Sequence, residues 1–340
     1  MPIMLNFDEG RFVRIQAGAV DLAPGLQSAT DKCLADGAAN LFFLGAGGAG
    51  ILMQPAVQLL RARSDFDVSV DWAAEIVRTG SARLGRQSVV VIPSLSGSTK
   101  ESISALDYCR EAGATVIALT GKADSPLARG ADFNFSNEAA DDTSSESFYL
   151  QSLIIVLAIM RARGEFGEYD AVLAELRRLP ELLLDVKRGA EQRAAQIAEA
   201  IAAGRYHIVT GAGLVWPQAY YYGMCILEEM QWIRTRPVHA ADFFHGTLEL
   251  VEDDVSVILL KGEDASRPLA ERVAAFAPRY TRKLTVLDAA DYDLPGISPL
   301  VRGMISQIVL ATVLERVSAR LEVIRDHPLT TRRYYKRVEY

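Results

Sequence analysis

The sequence predicts an α/β protein of two tandem units, each a parallel sheet flanked by helices in a flavodoxin-like three-layer sandwich. Three observations carry this prediction. Between 41 and 163, short apolar runs alternate with helical stretches, the pattern of a parallel sheet covered on both faces. The pattern gives way to charged helix over 164–204 and restarts at 205. Each unit also has the same parts in the same order: a strand, a glycine turn (Gly45-Ala46-Gly47, then Gly211-Ala212-Gly213) and a long apolar closing helix. A duplicated unit suggests a site built between two related halves.

The elements follow in order. Residues 1–40 form a lead-in with a helix over 20–35. The run 41–44 is a strand, followed at once by the glycine turn and a helix over 51–62. Strands are expected at 66–70, 88–92, 115–120 and 132–135, with helices at 72–79 and 102–111 between them. A polar loop, 138–146, leads into the helix 147–163. The stretch 165–203 is charged and helical, broken at Pro180 and Gly189, and reads as a connector. The second unit, 205–324, has strands at 206–210, 255–260 and 284–287, a helix over 217–232 and a closing helix over 299–324. Residues 325–340 form a tail.

Composition narrows the class. Of 340 residues, half are hydrophobic and 23% charged, enough to fill two cores. No run reaches the roughly 18 uncharged apolar residues needed to span a membrane. The start of the chain carries Asp8, Glu9, Arg11 and Arg14, which is unlike a signal peptide. Cys33, Cys109 and Cys225 are scattered and odd in number, which fits a reducing compartment, the cytoplasm, and no disulfide frame. No Cys/His cluster offers a metal site, and no cofactor is expected. A net charge of −7 disfavours a nucleic-acid partner.

The chemistry concentrates in Pro93-Ser94-Leu95-Ser96-Gly97-Ser98-Thr99-Lys100-Glu101, between a strand and a helix. Glycine allows a tight turn, hydroxyls donate hydrogen bonds, and the first free N–H groups of the helix face an anion, phosphate above all. The competing reading is an S-x-x-E capping box, Ser98 to Glu101, that binds nothing. The first glycine turn admits a dinucleotide reading, with Gly45, Gly47 and Gly50 as fingerprint and Asp65, Asp67 or Asp71 as the acid. The serine loop has no place in such a site, whereas a sugar phosphate uses both loops.

Two such units, with a Ser-x-Ser-Gly-x-Thr loop in the first, resemble the sugar isomerase (SIS) domain family. The double arrangement is similar to the isomerase half of glucosamine-6-phosphate synthase, and more so to the fructoselysine 6-phosphate deglycases. The resemblance runs from Leu41 nearly to the C-terminus. It implies that Ser94, Ser96, Ser98 and Thr99 hold a sugar phosphate, with Gly47 and Ser144 completing the pocket. Where the synthase has a hydroxyl in the first turn, this chain has only Gly47 and Gly48, leaving one contact to backbone N–H groups or water.

Glu229 and His245 match the family's Glu near a helix end and its His-Gly sixteen residues later; Glu228 matches less well. Moving a proton between C1 and C2 of a ketose needs a base at carbon and an acid or base at the oxygens. A glutamate beside Met230 and Trp232 can have a raised pKa, and histidine titrates near neutrality unaided. The bland alternatives are a solvated carboxylate and a loop histidine. His207 reads as structural, His239 as a supporting residue, and His327 as within reach of substrate if the tail folds back. Glu138, Asp141, Asp142 and Glu146 are either solvated or an attractor for a cationic amine. Lys336 falls where the synthase places a sugar-contacting lysine; the plainer alternative is a tail docked through Arg332, Arg333 and its tyrosines.

The expected activity is that of a fructosamine 6-phosphate deglycase, releasing an aldose 6-phosphate and a free amine. In the family the histidine comes from the neighbouring subunit, so the resemblance implies a homodimer with shared active sites. A phosphosugar isomerase or amino-sugar-phosphate deaminase would use the same pocket. A sugar-phosphate sensor would accompany a DNA-binding helix-turn-helix, for which forty non-basic residues before Leu41 are too few. The same forty residues leave no room for a glutaminase domain.

Overall fold

Every strand expected from the apolar runs forms, within two residues of its expected bounds. The computed structural model describes residues 4–335 and 337–339. It divides into two compact units, one of Glu9–Glu181 and one of Met1–Asp8 with Leu182–Tyr340.

In the first unit, β1 (Asn40–Gly45), β2 (Asp67–Trp72), β3 (Ser88–Ser94), β4 (Thr115–Thr120) and β5 (Phe133–Ser136) make one sheet in the order β2-β1-β3-β4-β5. All its pairings are parallel. β1 and β3 are buried along their whole length, which is why they read as unbroken apolar runs rather than as alternation. Phe42, Leu44, Val90, Ile92, Val116 and Ala118 point to one face. There they pack on Ala73 and Ile76 of helix Ala73–Thr79 and on Ala105, Leu106 and Cys109 of helix Lys100–Glu111. Their neighbours one residue away point to the opposite face, as the strand period requires.

Helix Ser144–Ala162 is buried on every side from Ser144 to Met160. It is long and apolar enough to cross a membrane, but 89% of it lies inside the protein, the position of a core helix. Against it pack Gln54–Arg63 and the two lead-in helices, Glu9–Asp21 and Ala23–Ala35. A single helix over 20–35 was the expectation. Pro24 instead starts a new helix in its first turn, and a separate amphipathic helix precedes it. The expected breaks at Pro180 and Gly189 resolve in the same way. Helix Tyr169–Leu176 ends before Pro180, which sits in the first turn of Leu179–Ala202, and Gly189 lies inside that helix without ending it.

The second unit holds β6 (His207–Gly211), β7 (Thr235–His239), β8 (Ser256–Lys261) and β9 (Leu284–Asp288) in the order β7-β6-β8-β9, again parallel. β7 was not expected: it is short, contains Pro237, and lies at the sheet edge, where a missing N–H is tolerated. Helix Arg267–Phe276 was missed as well; its Ala270 and Val273 face Ile208, Val257 and Leu259. Helix Pro299–Ile324 closes the unit as expected, capped by Ser298, whose hydroxyl accepts from the Val301 N–H at 3.4 Å.

A charged cluster is buried inside this unit. Lys187 and Arg316 are both fully buried. Lys187 Nζ lies 2.5 Å from Glu315, and Arg316 Nε 2.9 Å from Glu191. Arg316 also donates to the Leu5 carbonyl at 2.6 Å, and both cations lie over the Phe7 ring, at 5.0 and 5.1 Å. Burial pushes the Glu191 carboxyl up, but Arg316 and Arg320 outweigh it and hold the group below its usual range. Such a pair adds little net stability, yet removing one member strands a buried charge. Arg316→Met should therefore cost about 3–5 kcal/mol, read from the urea midpoint, because the Leu5 carbonyl loses its donor and Glu191 is left with Arg320 alone.

His207 gives the fold a pH dependence. Its ring is fully buried at the start of β6, and desolvation lowers its pKa to about 4. Below the unfolded value near 6.5, the unfolded chain takes up a proton that the folded chain refuses. Stability is therefore full above that pH and falls as pH drops towards 4, by up to about 3 kcal/mol. Denaturant midpoints of the wild type at pH 7 and 4.5 should show the drop, and His207→Leu should flatten it.

Candidate functional site

In the first unit, β1 and β3 are neighbours while the chain leaves them in opposite directions, to β2 and to β4. At such a switch point the loops after the two strands splay apart and leave a crevice at the carboxyl ends. The glycine turn follows β1, and the hydroxyl loop follows β3. Gly45 and Gly50 touch: a Cβ on Gly45 would sit 2.3 Å from the Gly50 Cα. These two glycines therefore serve the close packing of turn on strand. Gly47, by contrast, has φ +53° and open space where a side chain would go. It heads the short helix Gly47–Ile51, with Gly48 beside it.

The hydroxyl loop is held in one shape. Gly97 has φ +60°, and a Cβ there would fall 2.0 Å from Ser125 Oγ. Its N–H donates to the Ser94 carbonyl and its carbonyl accepts from the Leu127 N–H, both at 3.0 Å. The capping box does not form. Thr99, not Ser98, is the N-cap of helix Lys100–Glu111, and its side chain makes no capping bond. Thr99 Oγ1 instead lies 3.2 Å from Ser94 Oγ, and Ser98 Oγ donates to Ser96 Oγ at 3.2 Å. Four hydroxyls thus gather at the helix entrance, and none of them is spent on the first-turn N–H groups. That is a set of donors suited to a phosphate.

Ser144 is buried at the start of helix Ser144–Ala162. The loop before it packs against the same end of the sheet. Gly121 donates to the Leu95 carbonyl at 3.0 Å, and a Cβ on it would meet both that carbonyl and that of Ala139. The acidic loop is not simply solvated: Asp142 takes a bidentate contact from Arg11 at 2.7 and 3.1 Å, and Glu146 is buried.

The second unit repeats the switch point, with β6 and β8 side by side. Here the corresponding place holds a carboxylate of the chain itself. Asp264, in the loop after β8, accepts from the Leu214 N–H at 3.2 Å and from the Ser266 N–H at 2.7 Å. One N–H of the second glycine turn, that of Leu214, is thus already bound to a carboxylate, a feature sequence reasoning missed.

Glu229 stands on the turn that ends a rare segment. Helix Trp216–Tyr221 widens into a π-helix over Tyr222–Glu228, and the Glu229 N–H donates to the Met224 carbonyl, five residues back, at 3.1 Å. Such widening re-aims the residues that follow and is frequent at functional sites. Trp232, at φ +55°, then turns the chain towards β7. Glu229 is half-buried and lines a cleft of about 630 Å³ together with Trp232, Arg234, Arg332 and Arg333. Glu228 lines the same cleft, with its carboxylate accepting from Thr235 Oγ1 at 2.6 Å.

His245 lies exposed on the loop after Phe243 and Phe244, with its backbone N–H bonded to the Asp242 carbonyl at 2.9 Å. It is not among the residues lining the Glu229 cleft. His239, at the end of β7, accepts from the Ala241 N–H through Nδ1 at 3.1 Å, and burial lowers its pKa. It is thereby held neutral. His327 does fold back: its ring meets Trp232 edge-on at 4.6 Å. Lys336 lies outside the described residues.

Comparison with known proteins bears on the family and the fold. The family model described as SIS domain matches residues 36–161. Fructosamine deglycase FrlB of Bacillus subtilis is 34% identical over 306 residues, covering 88% of this chain and 92% of the relative. The fructoselysine 6-phosphate deglycase of Escherichia coli is 28% identical over 87% of this chain and 85% of its own length. A Bacillus subtilis protein solved as a candidate phosphosugar isomerase superposes with a TM-score of 0.88 at 31% identity, covering 96% of this chain and 99% of that one.

Gly97→Ala tests the hydroxyl loop. The added methyl collides with Ser125 and strains the backbone, so the four hydroxyls should lose their arrangement. Calorimetric titration with inorganic phosphate should show affinity lowered about tenfold or more, and the fold should lose roughly 1–3 kcal/mol.

Proposed function

The chain belongs to the SIS-domain family of the fructosamine deglycases, and on that premise we propose that it cleaves a fructosamine 6-phosphate to an aldose 6-phosphate and a free amine. The observation that carries this reading is the 34% identity to a fructosamine deglycase across nearly the whole chain. The uncapped hydroxyl loop at the first switch point supports it.

Ser94, Ser96, Ser98 and Thr99 take the phosphate, helped by the first-turn N–H groups of helix Lys100–Glu111. Gly47 and Gly48 offer backbone donors, and Ser144 adds a hydroxyl. Lys336 is the candidate for a further sugar contact. Glu229 is the base. It removes a proton from C1 of the open-chain ketoamine, the C1–H pair becomes the C1=C2 bond, and the C2 oxygen is protonated, giving an enaminol. Return of a proton to C2 moves the double bond to C1=N, an aldimine. Water then adds at C1 and the C–N bond breaks to release the amine. There is no net redox change, and water is the only co-reactant. His245 acts as acid or base at the sugar oxygens.

By the family resemblance His245 comes from a second copy, and its exposed place outside the cleft that holds Glu229 is compatible with that. The working form is then a homodimer with shared active sites, and its partners are its substrate and its own second copy, not nucleic acid or membrane. Three buried free cysteines fit the cytoplasm.

Glu229→Gln keeps the size of the side chain and removes the base. Amine release from a phosphorylated fructosamine should fall by about 10²–10⁴. Thermal stabilisation by a hexose 6-phosphate should persist, because the phosphate loop is untouched. Near-normal turnover in this variant would contradict the assignment.

A further inference from the structure

The tail does more than cover Glu229. Arg332 Nε lies 3.0 Å from Glu229 Oε1, and the arginine side chain is only 14% exposed. Its guanidinium is itself held in place. Nη1 donates to the Leu329 carbonyl at 2.6 Å and to the Thr331 carbonyl at 3.0 Å. The Leu329 N–H in turn donates to Glu322 at 2.9 Å, on the closing helix. A guanidinium pinned by two carbonyls of its own turn loses little freedom in meeting a carboxylate, so the contact is preorganised.

Other contacts also seat the tail. Gln231 Nε2 donates to the His327 carbonyl at 2.7 Å, and Arg325 donates to the Gln231 carbonyl at 3.2 Å. Trp232 is held between the His327 ring and the Arg333 guanidinium, the latter 4.2 Å from its centroid. The clasp is complete in Gln231, Trp232 and their partners. Arg332 reaches past this clasp to Glu229, and so acts on the candidate base.

We propose that Arg332 is a positioning residue for Glu229: it fixes the direction of the carboxylate and holds it ionised, ready to accept a proton. The inference rests on the reading of Glu229 as the base. A cation this close favours the charged form of a carboxylate, and a half-buried site screens the effect less than open water does. The other groups facing Glu229 pull in both directions. Arg234 and Arg333 line the same cleft and add positive charge, while Glu228 opposes them next door. Tyr206, Tyr334 and Tyr335 complete the wall. The Cys225 thiol, one turn back, is pushed up to about 12 by burial and by the two glutamates, so it stays neutral. The His327 ring, on Trp232, belongs to the clasp. Arg332 is in direct contact with the Glu229 carboxylate.

The test is the pH profile of kcat/KM for amine release from a phosphorylated fructosamine by the full-length protein, comparing wild type, Arg332→Gln and Arg332→Lys. In Arg332→Gln the acid limb should move up by about one pH unit, and kcat should fall about 10- to 100-fold at neutral pH. Arg332→Lys should restore most of the limb position and less of kcat, because lysine supplies the charge without the fork. A melting temperature close to that of wild type for both variants should show that the clasp survives. A wild type that turns over, with an acid limb unmoved in Arg332→Gln or a loss confined to KM, would overturn the assignment of Arg332 alone. A wild type without turnover would overturn the deglycase reading, and this inference with it.

Discussion

The hydroxyl loop exists as a site because β1 and β3 lie side by side while the chain leaves them in opposite directions. That arrangement opens a crevice which neither connection can close, and it aims the first turn of helix Lys100–Glu111 into the opening. Everything local serves the same geometry. Gly45 and Gly50 let the turn lie flat on its strand, and Gly97 takes the left-handed backbone that lets the loop pass Ser125. The hydroxyls of Ser94, Ser96, Ser98 and Thr99 bond to one another rather than to the helix, so the N–H groups behind them keep their capacity for an anion.

The second unit has the same topology and a different use. Asp264 places a carboxylate on the N–H groups of Leu214 and Ser266. The second half thus answers two of its own backbone donors with a carboxylate of the chain. Between the π-helix and β7 of the same unit, Glu229, Trp232 and the tail come together around one cleft.

Much of this was legible in the sequence. Fully buried parallel strands announce themselves as apolar runs between turn residues, and eight were placed within two residues. β7 escaped because Thr235–His239 carries an arginine, a proline and a histidine, a composition that only an edge position tolerates. The serine loop was legible as a hydroxyl-rich turn between a strand and a helix, but the S-x-x-E pattern could not be dismissed until Thr99 emerged as the N-cap. Three features left no local signal. The π-helix depends on how Tyr222–Glu228 packs, Asp264 meets Leu214 from fifty residues away, and Arg332 meets Glu229 only because the chain turns at Asp326 and Trp232, both with positive φ. Contacts at such separations are set by the tertiary fold and not by spacing.

The central claim is that a proton leaves C1 and a solvent-exchanged proton is delivered to C2 before the C–N bond breaks. Turnover of a phosphorylated fructosamine in D₂O, followed by NMR, tests it most directly. The account predicts amine and aldose 6-phosphate in equal amounts, with solvent deuterium appearing at C2 of the sugar. Amine released without an aldose 6-phosphate, or no release at all, would contradict it.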